Sequence, residues 1–412
     1  MKSNSFNNKN HNNVPVQQND KFNKLQMGLS AGSHFITDIY TSAYVGLIPF
    51  LTLKFGLSLF QVSLLGVTSI LANSLFSPVF GMLSDKHGLK YYMIAGPLVT
   101  SLFLSILGII PNYYLILILL FLGNLGVAAF HPASAAIAGH YGGKRKGIGS
   151  SLINFGGNFG NAIGSLLIIL IFEKAGIEFT PLIMIPGIIM ALVLIKYAPR
   201  NTGSRGSSIS FAQYFRKLKK VQGAKLYLLF NILFIIYSLY IIWITLINYM
   251  PLYFTERNIS LINIGNILLV FGTLGGASGF LSGFLYDRFK KGFLIIQTSL
   301  TLSIPLFFFS FRTEGFLSIV LFIAAGFFII FAQPVCIRMA QDLLPGSMSL
   351  ASSMILGFAP GLAGITMIFL GKAADIIGIS ALVNFELLGP AIAVLLLFIY
   401  PIMEKKLQAT KD

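Results

Sequence analysis

The sequence predicts an all-α membrane protein with twelve transmembrane helices in two six-helix halves. Three observations predict it: long uncharged apolar blocks, a chain that repeats itself at a fixed offset, and a one-sided distribution of Lys and Arg.

The apolar blocks come first. The mean hydropathy is +0.81, with 55% hydrophobic and 10% charged residues, whereas soluble domains carry about 25% charged residues. The runs Leu115 to Phe130 and Leu226 to Phe254 contain no charge. Stretches of about 20 apolar residues cross a bilayer as helices. Such stretches fall near 28–52, 60–82, 91–110, 114–139, 148–172, 181–198, 226–250, 261–285, 292–311, 315–338, 348–371 and 380–402. The ten-residue alternation of a membrane β-barrel is missing. The single cysteine, Cys336, forms no internal disulfide.

The repeat fixes the division into halves. At an offset of 202 residues Pro49 maps to Pro251, Ser58-Leu59 to Ser260-Leu261, and Gly81, Leu83 and Asp85 to Gly283, Leu285 and Asp287. Lys86 maps to Arg288, Pro132 to Pro334, Gly176-Ile177 to Gly378-Ile379 and Gly187 to Gly389, all without a gap. The matches favour Gly, Pro and Asp, which fix backbone geometry. The expected division is a disordered tail over 1–26, a six-helix bundle over 27–198, a linker over 199–225, a second six-helix bundle over 226–402 and a short tail over 403–412. The linker contains the polar stretch Asn201 to Ser210 and the basic run Phe215 to Lys220. A short helix is expected there, on the anionic leaflet.

The charge distribution orients the chain. With the N-terminus inside, Lys54, Lys174, Arg257, Arg312 and Lys372 lie outside and the other 24 of the 29 Lys and Arg residues lie inside. Excess Lys and Arg marks the cytoplasmic face, so both termini are expected in the cytoplasm of a multi-pass plasma-membrane protein. The net charge of +16 is therefore a topology signal, and no basic domain of nucleic-acid-binding type stands apart from the spans. The Asn-rich first 26 residues lack the apolar core of a signal peptide.

Gly81-Met82-Leu83-Ser84-Asp85-Lys86-His87-Gly88-Leu89-Lys90 joins the second and third spans, and Gly283-Phe284-Leu285-Tyr286-Asp287-Arg288 joins the eighth and ninth. The first resembles the cytoplasmic signature of the major facilitator superfamily, Gly-x-Leu-Ala-Asp-Arg-x-Gly-Arg-Lys. Glycine permits a tight turn, and an acid can face a helix N-terminus, where the macrodipole favours it. Gly81, Asp85, Lys86, Gly88, Gly283, Asp287 and Arg288 are therefore expected to latch one conformation. The resemblance implies a substrate site between the halves near mid-membrane.

A narrower resemblance rests on Ser33-His34-Phe35-Ile36-Thr37-Asp38, Phe130-His131-Pro132, Gly156-Gly157-Asn158-Phe159-Gly160 and Ala340-Gln341-Asp342-Leu343-Leu344-Pro345-Gly346. These segments resemble the fosmidomycin-resistance group of drug exporters, over nearly the whole chain outside the tails and linker. The sequence departs from that group at Ala133 and Ala136, where Glu and Arg are usual, and at Gly164-Ser165, where Gly-Pro is usual.

Ionisable groups inside a bilayer are costly and mark function. His34 and Asp38 share a face of the first span, one turn apart, and His131 lies at similar depth in the fourth. A carboxylate with imidazoles suits reversible proton coupling. Glu386 is a second coupling candidate near the outer end of the last span, either snorkelling or paired with a neighbour. By the offset, His34, Asp38 and His131 become Ile236, Tyr240 and Gln333, so the second half supplies shape and aromatic contacts. Tyr237, Tyr240, Trp243, Asn248 and Gln333 are expected to line the substrate path, with Asn154, Asn158 and Asn161 on the fifth span. Gly156, Gly160 and Gly164 form a separate small-residue stripe suited to close packing. Pro132 and Pro334 are expected to kink their helices.

No P-loop and no Cys/His metal spacing is present, and no enzyme constellation, cofactor or metal is expected. The leading expectation is a monomeric, proton-coupled exporter of small drug-like or amphipathic molecules working by alternating access. Its partners are a small-molecule substrate, protons and the lipid bilayer, with no nucleic acid. The alternatives are a proton-driven importer or facilitator of a small metabolite, and a non-transporting membrane sensor.

Overall fold

A computed structural model describes residues 21–199, 223–344, 351 and 354–409. These residues are overwhelmingly helical, with no strand among them. The run Phe215 to Lys220, expected to form a surface helix, lies outside them.

In chain order the first half holds α1 (Lys24–Phe55), α2 (Leu59–His87), α3 (Leu89–Leu104), α4 (Tyr113–Tyr141), α5 (Lys146–Ala175) and α6 (Met184–Tyr197). A 3₁₀ stretch, Ile177–Ile183, leads into α6. The second half holds α7 (Gly223–Glu256), α8 (Leu261–Phe289), α9 (Gly292–Ser310), α10 (Gly315–Leu343), α11 (Ala359–Glu386), α12 (Leu388–Leu397) and α13 (Tyr400–Ala409). Three boundaries move from the expected division, one of them the start of α7 at Gly223, inside the stretch read as linker. The first helix starts at Lys24, inside the stretch read as a tail, because Asn23 caps it by accepting from the Gln26 N–H. The last helix runs on past residue 402 to Ala409.

The local chemistry explains where helices begin and stop. Ser58 and Gln61 form a reciprocal capping box at the start of α2. Ser260, 202 residues on, caps α8 through its side chain too, accepting from the Asn263 N–H. α1 stops at Gly56, whose φ of 61° suits glycine. The eleventh apolar block, Met354–Leu397, is 44 residues long. Straight, it would measure roughly 66 Å, twice the hydrocarbon thickness of about 30 Å. Gly378, at φ 77° and ψ 166°, breaks it into two crossings. Its counterpart Gly176, at φ 108° and ψ 161°, ends α5. The repeat read in the sequence thus recurs in the backbone dihedrals, and the crossings among the described residues total twelve.

Within the first half α1 packs on α5, α4 on both α2 and α3, and α3 on α6; in the second, α10 packs on α8 and α9, and α7 on α11. The halves meet along α2 with α11, α5 with α8, and α7 with α1 and α2. Chain direction identifies the two faces. The Asn23 N–H donates to the Tyr141 carbonyl and Gln26 Nε2 donates to the Tyr197 carbonyl, so the start of α1 and the ends of α4 and α6 share the terminal face. At the opposite, distal face Lys54 donates to the carbonyls of Gly108 and Ile110.

The seams between halves are closely packed distally, and the α5–α8 seam opens towards the terminal face. Along α11, Gly371 sits on Ser63 and Phe60, Gly364 on Ile70 and Leu71, and Gly361 on Ser74. Along α8, Gly265 sits on Leu166 and Ile169, Gly272 on Ala162, and Gly276 on Asn158. About two turns further on, towards the terminal face, Gly283 has no atom of another described helix within reach of a Cβ.

Candidate functional site

The site lies where α1, α4 and α5 converge beside the open seam. α1 and α5 approach closely because Gly156, Gly160 and Gly164 face the backbone carbonyls of Ala31, Phe35 and Ile39. The stripe read as structural is therefore a helix-packing face. Gly157 points at the His34 ring, leaving no room there for a side chain: a Cβ would stand 2.5 Å from Nε2. This close approach puts α5 side chains within reach of Asp38.

Asp38 is 5% exposed and gathers three partners. His34 Nε2 lies 3.3 Å from Oδ2, His131 Nε2 3.4 Å from Oδ1, and Asn161 Nδ2 donates to Oδ2 at 3.2 Å. The His34 and His131 rings stand edge-on with centroids 5.0 Å apart, and Phe130 closes the apolar side of His34 at 5.4 Å. Thr41 donates to the Asp38 carbonyl at 2.8 Å and lies 3.3 Å from the Asn161 side-chain oxygen; the Asn161 amide orientation follows from its Nδ2 donating to the carboxylate. The ligand atoms of His34, Asp38 and His131 all lie within 4.8 Å of one another, close enough to share one small cation. The side chain of His131 is 36% exposed, against 12% for His34, so His131 is the member that faces the cleft.

Both ring nitrogens of His34 face oxygen atoms. Its Nδ1 lies 2.9 Å from the Ile153 carbonyl, which offers only an acceptor, so Nδ1 carries hydrogen. Its Nε2 faces a carboxylate oxygen. A neutral imidazole has one N–H. With an ionised Asp38, both contacts are satisfied only when His34 is doubly protonated; the alternative places the proton on Asp38. Made as hydrogen bonds, these two contacts would require one proton beyond the neutral ring and the bare carboxylate.

The second half repeats the cross-link without charge. The counterparts of Asp38 and His131 are Tyr240 and Gln333, and Gln333 Nε2 donates to the Tyr240 hydroxyl at 2.7 Å. The counterpart of His34, Ile236, is fully buried. Both halves thus tie their first helix to their fourth at matching positions, one through an ionisable pair and one through a neutral pair.

The remaining expected residues separate into groups. Asn154, Asn158 and Asn161 are exposed, and Asn158 touches α8 across the seam. Tyr237 hydrogen-bonds Thr366 of α11 at 2.9 Å, and Trp243 stacks on Phe271 at 5.7 Å. Asn248 stands apart: it is 1% exposed, packed against Gly66 of α2, and its Nδ2 donates to the Ile244 carbonyl. Glu386 does not snorkel. It is buried at 6% exposure and accepts from Thr245 at 2.7 Å, while its second oxygen has no partner among the described residues. The carboxyl sits inside the second bundle, away from the Asp38 cluster.

Of the expected latch residues, Gly88 turns the chain between α2 and α3 at φ 95°, and Gly81 touches Pro132 of α4. Lys86 and Arg288 are exposed. The side chain of Asp85 lies outside the described ones. Asp287 lies beside two cationic side chains, Lys290 at 3.2 Å and Arg338 of α10 at 3.7 Å. Pro132 and Pro334 lie inside continuous α4 and α10. The sequence alone does not reveal Asn161 as a donor to Asp38, nor the parts played by Thr41 and the Ile153 carbonyl. The one signal for Asn161 is its spacing: it lies one turn beyond Gly157, which seats His34.

Residues 31–359 match the family model described as Major Facilitator Superfamily. The fosmidomycin resistance protein of Escherichia coli (strain K12) is 26% identical over 384 residues, covering 90% of this chain and 92% of its own. The uncharacterized MFS-type transporter YfnC of Bacillus subtilis (strain 168) is 26% identical over 356 residues, covering 84% and 86%. Among solved structures, a bacterial homolog of the human lysosomal transporter Spinster, in an inward-facing and unoccupied conformation, superposes with a TM-score of 0.72 at 15% identity, covering 92% of this chain and 97% of its own.

Proposed function

Because the chain belongs to the Major Facilitator Superfamily, we propose that it is a proton-coupled secondary exporter of small drug-like or amphipathic molecules, working by alternating access. The observation that carries the reading is the placement of Asp38. A buried carboxylate held by two imidazoles and an amide, at the edge of a cleft open to one face, is a site that a proton can occupy or leave as the halves rock.

In this proposal the terminal face is cytoplasmic, both termini lie on the inner side of the plasma membrane, and the present conformation receives substrate from the cytoplasm. Substrate enters beside Asn154, Asn158, Asn161, Tyr237, Tyr240 and Gln333, with Trp243 behind them. Its binding favours loss of the shared proton to the cytoplasm. When the halves rock, the site opens outward, a proton returns to Asp38, and substrate leaves. His131, facing the cleft, relays the proton, and His34 stores it with Asp38. The neutral Tyr240–Gln333 pair gives the second half no matching charge change, so one proton per cycle is expected from the central cluster. Glu386 is the second candidate carrier. The protein acts as a monomer.

The test is transport in proteoliposomes under an imposed pH gradient, with both orientations assayed and a panel of amphipathic drugs as probes. Export predicts substrate accumulation on the side that supplies protons. Accumulation on the opposite side would identify an importer.

A further inference from the structure

The first turn of α2 is held from across the seam. Asp375 of α11 accepts at Oδ1 from the Leu59 N–H at 2.6 Å, and both its oxygens lie 3.3 Å from the Phe60 N–H. These are two of the N–H groups that a helix start leaves without a partner, at the end where the macrodipole favours an anion. The helix's own cap, Ser58, serves a third, on Gln61. Tyr249 of α7 donates to the Leu59 carbonyl at 3.0 Å, and the Lys372 ammonium lies 5.4 Å over the Phe60 ring. Asp375, Tyr249 and Lys372 all come from the second half and grip a single turn of the first. Below them the seam is apolar and small-sided, with Gly371 on Ser63 and Gly364 on Ile70. The two-fold-related start of α8 has its own Ser260 cap, and its seam with α5 is made of Gly265 and Gly272 against Leu166 and Ala162.

We infer that Asp375 is a positioning residue of the transport cycle, which holds the distal face shut by capping the first turn of α2 across the two halves. Opening that face pulls α11 away from α2, so the cap on Leu59 and Phe60 and the Tyr249 hydrogen bond break in every cycle and re-form on return. Asp375 sets the balance between the two access states and touches neither substrate nor proton. The inference rests on alternating access, and not on the direction of transport or the coupling ion.

Three variants separate the contributions. Asp375→Ala removes the cap, Asp375→Asn keeps an acceptor oxygen without charge, and Tyr249→Phe removes only the hydroxyl. Spin labels at Lys174 and Glu256, exposed at the distal ends of α5 and α7, report the separation of the halves in lipid nanodiscs, with buried Cys336 left in place. No substrate or pH gradient is needed, so the outcome is independent of the export reading. In Asp375→Ala the long-distance population should rise about fivefold relative to the unsubstituted protein, the ratio that one lost cap is worth. Asp375→Asn should fall between the two. Tyr249→Phe should shift the balance in the same direction by a smaller factor. A folded Asp375→Ala protein with an unchanged distance distribution overturns the inference. If Asp375→Ala does not fold, unchanged distributions in both Asp375→Asn and Tyr249→Phe overturn it instead. Lower thermal stability without a change in distances would mark Asp375 as a structural cap only and would also overturn it.

Discussion

Replacing Asp38 by Asn keeps the volume of the side chain and removes its ability to exchange a proton. In the structure three donors converge on this carboxylate, from His34 at 3.3 Å, His131 at 3.4 Å and Asn161 at 3.2 Å. A hydrogen bond to a charged group contributes about 1.5–3 kcal/mol, and the two imidazole contacts lose that assistance when the partner is neutral. His34 then keeps its bond to the Ile153 carbonyl and has no reason to be doubly protonated. The proton that the pair shares is gone. For one proton per substrate, each unit of pH gradient sustains about a tenfold concentration ratio, since one unit of pH is worth about 1.4 kcal/mol. A gradient of two units should therefore drive about 100-fold accumulation in the unsubstituted protein and none in Asp38→Asn. Exchange of labelled for unlabelled substrate should persist in the variant, because rocking does not itself require the charge change. The assay is uptake into proteoliposomes with the pH gradient imposed by dilution, run beside counterflow at equal pH. An Asp38→Asn protein that still concentrates substrate under the pH gradient alone would refute the reasoning and move the coupling to Glu386.

His131→Gln should shift the midpoint of the pH–rate profile while leaving counterflow intact, as read from initial rates between about pH 5 and 9, because it faces the cleft and relays rather than stores the proton. Gly157→Ala should impair pH-driven transport more than folding, because the added methyl meets the His34 ring at 2.5 Å and turns it from Asp38; yield, melting temperature and transport measured together decide this. Thr245→Val leaves buried Glu386 without its 2.7 Å donor and should lower stability by about 1–3 kcal/mol in a detergent unfolding assay. Strongly anionic phosphonates should be poor substrates, since the cluster offers imidazoles and a carboxylate and no Arg to clamp a phosphonate bidentately; robust fosmidomycin resistance on expression in a sensitive, pump-free strain would contradict this.

The features legible in the sequence are those set by local chemistry or by the duplication. Ser58 and Ser260, and Gly176 and Gly378, are legible as matches of the repeat, and the structure gives each pair a shared local role, side-chain cap for the serines and left-handed φ for the glycines. His34 and Asp38 are legible as a pair because one turn of helix joins them. His131 reaches the cluster only through the packing of α4 against α1, which depth along the helix suggests and geometry establishes. Asn161 reads as polar and cleft-facing, yet its bond to Asp38 depends on how far Gly160 and Gly164 let α5 approach α1, a quantity no spacing contains. For Glu386 the sequence leaves snorkelling and pairing with a neighbour both open, and only the packing of α7 against the last span shows that Thr245 is that neighbour. Asp375 lies beyond reach for the same reason: its partner Leu59 is 316 residues away in the chain.

The glycine seams carry a consequence for speed. Gly371 meets Ser63 where its counterpart Ile169 meets Gly265, and Gly364 meets Ile70 where Ala162 meets Gly272. In each crossing one surface is flat, and the flat surface belongs to α11 in one seam and to α8 in the other. Knobs seated in holes must climb out before two helices can shift; a knob resting on a flat does not. The two seams therefore behave as a pair of plain bearings, with broad contact and little mechanical friction, and the duplication has mounted them with their smooth faces on different moving parts. Such a joint holds by close packing of small residues and presents no interlocked side chains to climb out when the helices shift, which leaves the contacts fastened across its ends as the directional ones.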